Sequence, residues 1–232
     1  AEPGRSWILP SSARSAGQCG ALYTTRLTLA NRAETDASVT LQFLGHDADG
    51  RGGARKTFTV AAGKATTHED VLGQVFGLSS GYGAVRISSP DASLAVVGET
   101  STPGPSGGTF GQSVPASAQA DLLRNGSTGA IVAVREDARF RTNLILTNAT
   151  EAPLTVDVKL LSGEGAQLAV GSYGLPPLGM RQVTEVVRDL HVTSDVRNAQ
   201  LLLSTATPGG RFAAYATVID RTTNDPRTLL PR

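Results

Sequence analysis

The residue pattern most suggestive of chemistry in this chain of 232 amino acids surrounds Ser79. Residues 77–81 read GLSSG and match the G-x-S-x-G nucleophile elbow, in which the serine follows a buried strand and precedes a helix. Here a short helical pattern precedes Ser79 and a strand pattern follows it, which reverses the order that the elbow requires. We therefore interpret the segment as a turn at the exit of a helix, and we predict no catalytic residue and no enzyme activity.

Metal binding through histidine has little support from spacing. The histidines are His46, His68 and His191, and no two of them form an H-x-H or H-x-x-x-H pair. A histidine site would depend wholly on the fold to bring them together. We interpret them as surface or capping residues, and we predict no metal and no cofactor.

Residues 46–53, HDADGRGG, hold Asp47 and Asp49 in a Gly-rich loop. Oxygen ligands that alternate in such a loop can hold calcium. However, the third acidic ligand and the closing Glu of a complete calcium loop are missing, and Arg51 follows at once. A hairpin turn, for which Asp-Gly is a favoured pair, is the preferred interpretation, with a calcium loop as the alternative.

Polysaccharide binding would need exposed aromatic side chains that stack on sugar rings. Aromatic residues make up 5% of the chain, and the candidate platforms come from scattered segments. They are Trp7, Tyr82, Phe110 and Tyr173.

Two N-x-[ST] sequons occur, at Asn125 and Asn148. We interpret both as incidental, since Asn148 already suits a turn, and whether either is glycosylated stays open.

Composition limits the classes of partner. The chain is 40% apolar and 18% charged, with a formal net charge of +1, so charge gives no reason to expect nucleic acid or an anionic membrane. No apolar run approaches the roughly 18 residues that span a bilayer. With one cysteine, Cys19, no intramolecular disulfide can form. The start AEPGRSW is typical of a mature chain after signal-peptide removal, with a trimmed chain as the competing explanation, and we expect export.

The predicted strands and turns that would position these residues occur twice in the sequence. Residues 23–44, YTTRLTLANRAETDASVTLQFL, are echoed without a gap by residues 140–161, FRTNLILTNATEAPLTVDVKLL. In both copies apolar and polar residues alternate with a period of two, which is typical of half-buried strands. Asn31 and Asn148 open the polar turn between the two strands of each copy.

The echo extends along the chain. It places Gly63 on Gly179 and Glu69 on Glu185, and it predicts a short helix in each half, over 68–77 and 184–192. About seven short strands in each half have the spacing of an antiparallel sandwich. We therefore predict an all-β fold of two domains related by internal duplication, 1–118 and 119–232.

The pattern L-x-L-x-N-x(6–8)-V-x-L-x-F/L, a Gly-centred turn, a short helix and the late segment AYATVIDRTTNDP resemble immunoglobulin-like repeats of secreted bacterial surface and extracellular proteins. The similarity covers most of the chain and rests on core and turn residues. The chain departs from the antibody type, because it has no cysteine pair and Trp7 lies outside the middle strand. The resemblance implies tandem immunoglobulin-like sandwiches, an extracellular location and a non-catalytic role.

An amino-terminal arm, residues 1–10, precedes the first predicted hairpin and carries Trp7, Ile8 and Leu9. These three residues either form the first strand of their own sandwich or pair with a sheet edge of a neighbouring molecule as an assembly contact. Deletion of the arm separates the two interpretations.

The predicted function is that of a non-catalytic structural or adhesive protein of the bacterial cell surface or matrix, with protein–protein contacts and self-assembly into fibres as the leading hypothesis. The alternative is an accessory module that recognises polysaccharide or a protein partner through loops at one end of the sandwich.

Overall fold

The computed structural model describes residues 5–17, 20–90, 93–104 and 107–232. Residues 1–4 of the predicted arm, Cys19 and residues 105–106 lie outside the described residues. Strands make up 60% of the structure and helices 7%, in antiparallel sheets, so the predicted all-β class is confirmed. The chain divides into two compact units, unit 1 (Ala1–Asp121) and unit 2 (Leu122–Arg232). Among the helices of the described ranges, none is long and apolar enough to cross a membrane.

The described part of unit 1 forms one sheet in the order β4-β3-β6-β1-β2-β7-β8, with β5 beside β2 and β9 beside β1. A π-helical turn, Val71–Val75, and two 3-10 turns, Gly50–Gly52 and Gln119–Asp121, lie between strands. The strands are β1 (Arg5–Ala16), β2 (Leu22–Asn31), β3 (Ala37–Gly45), β4 (Arg55–Val60), β5 (Ala65–His68), β6 (Gly81–Ser89), β7 (Leu94–Pro103), β8 (Thr109–Pro115) and β9 (Ser117–Ala118).

Unit 2 forms two sheets, β10-β17-β12-β15 with β18 beside β17, and β11-β16-β13-β14. A short helix, α1 (Val186–Asp189), follows β15. The strands are β10 (Leu123–Arg124), β11 (Thr128–Glu136), β12 (Phe140–Asn148), β13 (Leu154–Leu161), β14 (Gln167–Leu175), β15 (Met180–Val183), β16 (Val196–Ser204), β17 (Arg211–Asp220) and β18 (Pro226–Leu229).

The period-two alternation of the sequence defines the core of unit 2. Along β13, every second residue is buried while its neighbours are exposed. These side chains join apolar residues of the other sheet, such as Leu144 and Phe212, in a single cluster, so the core lies between the two sheets. The core members of β13 are Leu154, Val156, Val158 and Leu160.

The two units share one pattern of strand pairing. In unit 1, β1 pairs with β6, β2 with β5 and β7, β3 with β4 and β6, and β7 with β8. In unit 2, β11 pairs with β16, β12 with β15 and β17, β13 with β14 and β16, and β17 with β18. Strands β1–β8 therefore correspond in order to β11–β18, and we call such strands equivalent.

Strand pairing corrects part of the sequence alignment by one residue. Leu27 faces His68 in unit 1 and Leu144 faces Val183 in unit 2, so the residue equivalent to Glu185 is Asp70 and not Glu69. In the same way Gly63 corresponds to Leu178, and both have positive φ, of 63° and 47°. A leucine in the left-handed region gives no sequence signal, which is why the alignment chose the neighbouring Gly179.

Unit 1 departs from the predicted sandwich of two separate sheets. Strand β1 pairs with β6, shifts register between Leu9 and Ser12, and then pairs with β2 over Arg14–Ala16 as well. A bulge of this kind bends a strand, so one long strand can belong to both layers. The equivalent β11 also shifts register but ends at Glu136 without reaching β12. The two layers are therefore joined through β1 in unit 1 and stay separate in unit 2.

Candidate functional site

Ser79 lies in the turn between the π-helical segment and β6, in the helix–turn–strand order that the sequence predicted. Its main-chain carbonyl accepts a hydrogen bond of 3.1 Å from Arg14 Nε. The guanidinium of Arg14 also contacts the carboxylate of Asp70, which in turn accepts the N–H of Gly73. These contacts give the Ser79 segment a structural part in holding the exit of the helical turn.

The three histidines have different surroundings in the structure. His68 lies in β5 with its ring edge against Phe58, at 5.1 Å between centroids, and burial lowers its pKa. His191 follows α1 in unit 2 with a φ of 64°. In the described part of the chain, no group of three or more His, Cys, Asp or Glu side chains is placed to hold a metal ion.

His46 belongs instead to a small exposed cluster with Tyr82 and Asp47. The centroids of the His46 and Tyr82 rings lie 4.3 Å apart, and the main-chain N–H of His46 donates to the main-chain carbonyl of Tyr82. Asp47 Oδ2 lies 3.2 Å from His46 Nε2. Partial burial, with the charge of Asp47, raises the pKa of Tyr82. We call these three residues the His46 cluster, and it offers an aromatic face beside a carboxylate.

The Asp-Gly loop forms a 3-10 turn between β3 and β4, in line with the turn interpretation of the sequence. The Asp49 carboxylate caps this turn by accepting the N–H of Arg51 at 3.0 Å. It also receives the Arg51 guanidinium at 2.5 Å, and these hydrogen bonds lower the pKa of Asp49. Both carboxylate oxygens of Asp49, one of the two candidate calcium ligands, are thus engaged by Arg51.

Two of the four candidate aromatic platforms are buried and so offer no ring face for stacking. Trp7 and Tyr173 are each 9% exposed. The Tyr173 hydroxyl donates a 2.5 Å hydrogen bond to Asp189. Burial, and to a smaller extent this hydrogen bond, raises the pKa of Tyr173. Tyr82 and Phe110 are exposed, at 37% and 41%.

The three candidate assembly residues lie inside a sheet of their own unit. Trp7, Ile8 and Leu9 are buried in β1 and face residues 85–87 of β6, and Trp7 and Ile8 also face β9. An alanine-like Cβ on Gly98 would lie 2.5 Å from Leu9 Cδ1, so β7 approaches Leu9 closely. The structure therefore matches the alternative in which this segment is the first strand of its own unit.

Asn31 and Asn148 do more than open turns. The Asn148 amide donates to the carbonyls of Ala152 and Pro176 at 2.8 and 2.9 Å, and its Oδ1 accepts the N–H of Thr150. Asn148 is fully buried, so this sequon is closed to modification once the chain has folded. Asn125, the other sequon, is exposed.

Asn31 makes the equivalent bonds in unit 1. Its amide donates to the carbonyls of Thr35 and Val60 at 2.8 and 3.0 Å, and its Oδ1 accepts the N–H of Ala33. Each asparagine therefore ties the end of one strand to the following turn and to the end of a strand in the other layer.

A buried carboxylate that the sequence did not single out lies at the end of β11. Glu136 is fully buried and accepts N–H groups of Thr142, Val187 and Arg188, at 3.3, 3.3 and 2.9 Å. Burial raises the pKa of Glu136, while these hydrogen bonds oppose the rise. The Glu136 carboxylate thus accepts N–H groups at the start of α1. The N-cap residue of this helix, Glu185, makes no capping hydrogen bond with its side chain.

The neighbouring Asp137 has the opposite electrostatic balance. Burial would raise its pKa, but hydrogen bonds from the Arg135 side chain and from the N–H groups of Arg139 and Phe140 outweigh it and hold the pKa at about 2. The guanidinium of Arg135 also lies 4.0 Å from the Phe140 ring centroid. Asp137 therefore fixes the turn that joins β11 to β12.

The corresponding place in unit 1 has different charges. Thr25 and Thr142 occupy equivalent positions, because their hydroxyls accept the N–H groups of Ala13 and Arg135. Arg14 is consequently the counterpart of Glu136. Arg14, which contacts Asp70, thus stands in unit 1 where the carboxylate of Glu136 stands in unit 2. The pairing of β1 with β6 corresponds to that of β11 with β16, but only β1 also pairs with the next strand, β2.

The outer face of the four-stranded sheet of unit 2 carries an open groove of about 470 Å³. Asp157 and Lys159 project there beside Val170, which is 61% exposed. The remaining lining residues come from all four strands: Thr128, Val158, Gly171, Ser172, Leu202 and Ser204.

No protein-family model, curated protein or solved structure matched the chain.

Proposed function

We propose that this protein is a non-catalytic structural or adhesive protein of the bacterial cell surface or extracellular matrix. In this proposal its two units are immunoglobulin-like sandwiches that arose by duplication, and it acts by associating with proteins, including copies of itself. The resemblance of the doubled strand-turn-strand phrase to repeats of secreted bacterial proteins supports this location.

One observation carries the proposal: the strand pairing recurs in both units, whereas the charged residues at the ends of the equivalent strands β1 and β11 differ. The strand pairing and the asparagine hydrogen bonds recur in both units. At equivalent positions, however, Arg14 stands opposite Asp70 in unit 1, and Glu136 caps a helix in unit 2. A catalytic or binding site kept in both units would require the same charged residues at these equivalent positions. We therefore infer that the sheet framework, and not a site built on these residues, is what the two units have in common.

The absence of catalysis is tested with generic ester and peptide substrates. We expect no turnover above the blank for the full chain, and no difference between the wild type and Ser79→Ala. Light scattering on the same samples should report a mass above that of one chain as concentration rises. Hydrolysis that Ser79→Ala abolishes would overturn the proposal.

The alternative, a module that binds polysaccharide, is favoured by the His46 cluster. An exposed tyrosine ring beside a carboxylate combines a stacking surface with a hydrogen-bond acceptor for sugar hydroxyls. Glycan-array binding by a strictly monomeric protein, lost in Tyr82→Ala and kept in Phe110→Ala, would place this alternative first. Absence of glycan binding in a protein that self-associates would remove it.

A further inference from the structure

Strand β14 is an edge strand without the usual protection against pairing. It is the last strand of the sheet β11-β16-β13-β14, and its nine residues, QLAVGSYGL, contain no charged residue and no proline. Its register against β13 shifts once, between Gln167 and Ala169, and from Ala169 to Leu175 the pairing is unbroken, so the unprotected part of the edge is Ala169–Leu175. Edge strands are normally protected by charge, proline, bulges or a covering segment, because their unpaired N–H and C=O groups template another strand.

Other edges in the protein show such protection. The equivalent edge strand in unit 1, β4, begins with Arg55 and Lys56. At the opposite edge of the same sheet, β11 is interrupted by two register shifts and exchanges two main-chain hydrogen bonds between Ala130 and Arg232, of 3.0 and 2.9 Å. Among the described residues, the main chain of β14 hydrogen bonds to β13 alone.

The outer face of β14 is also apolar. Val170 is 61% exposed and lines the groove, and Leu168, near the start of the strand, is 39% exposed. Exposed aliphatic side chains on a free edge add apolar burial to the main-chain hydrogen bonds when a further strand is added.

The sequence of β14 is complementary to itself when read in the antiparallel direction. About an axis through Gly171, Val170 of one copy would face Ser172 of the other. Ala169 would face Tyr173. A large residue thus meets a small one at each of these positions, both on the same face of the sheet. Because the strand has no charge, no like charges meet at the axis.

We propose that β14 pairs with β14 of a second copy of this chain, antiparallel about a two-fold axis near Gly171, so that two four-stranded sheets become one of eight strands. The contact is isologous and closes on a pair of molecules. It goes beyond the proposed function, because it applies equally to a structural protein and to a glycan-binding one.

The test introduces charges that face each other only in this register. In V170E/S172E the carboxylates at 170 and 172 lie directly opposite across the axis, so we expect the dissociation constant of the dimer to rise by about tenfold or more. V170K/S172K should weaken the dimer similarly. An equimolar mixture of the two variants should restore dimers that contain one of each chain. Both positions are exposed, and circular dichroism should confirm that the variants fold.

V132E is the matched control, since Val132 is 49% exposed on β11 at the far edge of the same sheet. Sedimentation velocity of the full chain over a concentration series should show that V132E dimerises like the wild type. A wild-type chain that stays monomeric throughout overturns the proposal. So does a V170E/S172E chain that dimerises normally, and so does loss of the dimer in V132E, which would indicate stacking of sheet faces instead.

Discussion

At the residue scale, the buried residues Asn31 and Asn148 each tie the end of a strand to main-chain groups of other segments. Asn148 donates to two main-chain carbonyls and accepts one N–H, and of the two carbonyls that of Ala152 also accepts the Thr150 hydroxyl at 3.2 Å. A buried polar group without a partner costs about 1–3 kcal/mol. The asparagine therefore contributes more than the turn preference that its type suggests.

We expect Asn148→Ala to lower the free energy of unfolding by about 2–4 kcal/mol, because two carbonyls lose the amide donor. Asn148→Asp should cost a similar amount, since it keeps the acceptor for Thr150 and loses the amide donors. Urea denaturation measures both. Asn125→Ala removes one amide hydrogen bond, of 3.1 Å to the Thr205 carbonyl, and should cost about 1 kcal/mol, so equal losses at 125 and 148 would contradict the assignment.

The lowered pKa of Asp137 predicts how its contribution to the free energy of unfolding depends on pH. Its pKa falls from 3.8 to about 2 on folding, so its stabilisation is complete above pH 3.8 and is lost as the pH falls toward 2. Asp137→Asn should be less stable than the wild type at neutral pH, and the difference should shrink in acid. Unfolding free energies measured across this range test it, and a difference that does not vary with pH would refute it.

Glu136 should act in the opposite direction. Burial raises its pKa, so keeping it ionised costs stability at neutral pH, and this cost is relieved as the pH falls through its folded pKa. Glu136→Gln should remove this dependence. A Glu136→Gln protein that retains the wild-type pH dependence in that range would show that another group titrates there.

At the element scale, β1 is the strand on which unit 1 most depends. It pairs with β6, β9 and β2, and its Trp7, Ile8 and Leu9 side chains are buried. Detaching it to serve a neighbouring molecule would open the sheet between β6 and β2.

We expect deletion of residues 1–10 to destabilise unit 1 without abolishing association through β14. Trp7→Ala should by itself cost about 3–5 kcal/mol through the cavity that it leaves. Thermal unfolding followed by light scattering separates the alternatives. A deleted chain that stays equally stable and loses its oligomers would support the donor-strand interpretation of the arm.

Local patterns explain which elements the sequence could predict. Alternation in TLTL and VDVKLL predicts strand faces, because period two is a local property of the chain. The joining of two layers by β1 depends on a bulge between Leu9 and Ser12, and the capping of α1 depends on Glu136, some 50 residues away in the chain. Such long-range contacts leave no local signal. The position of β14 at the edge of its sheet is likewise a property of the strand order, which local sequence patterns do not determine.

At the scale of the whole molecule, the chain consists of two units that share a pattern of strand pairing and differ in charge at Arg14 and Glu136. Leu27 and Leu144 are fully buried at equivalent positions. Leu27→Asp and Leu144→Asp should each bury a charge without a partner and unfold mainly their own unit. Proteolysis should then leave a fragment of about half the chain, corresponding to the other unit. Cooperative loss of the entire chain in either variant would contradict independent cores.

Negative-stain microscopy of the protein isolated from the producing cells is the decisive test of a structural or adhesive role. We expect ordered fibres, arrays or paired particles built from this chain, with V170E/S172E removing the pairing through β14. Uniform particles of one chain at every concentration, together with a soluble ligand or substrate bound at the His46 cluster, would contradict it.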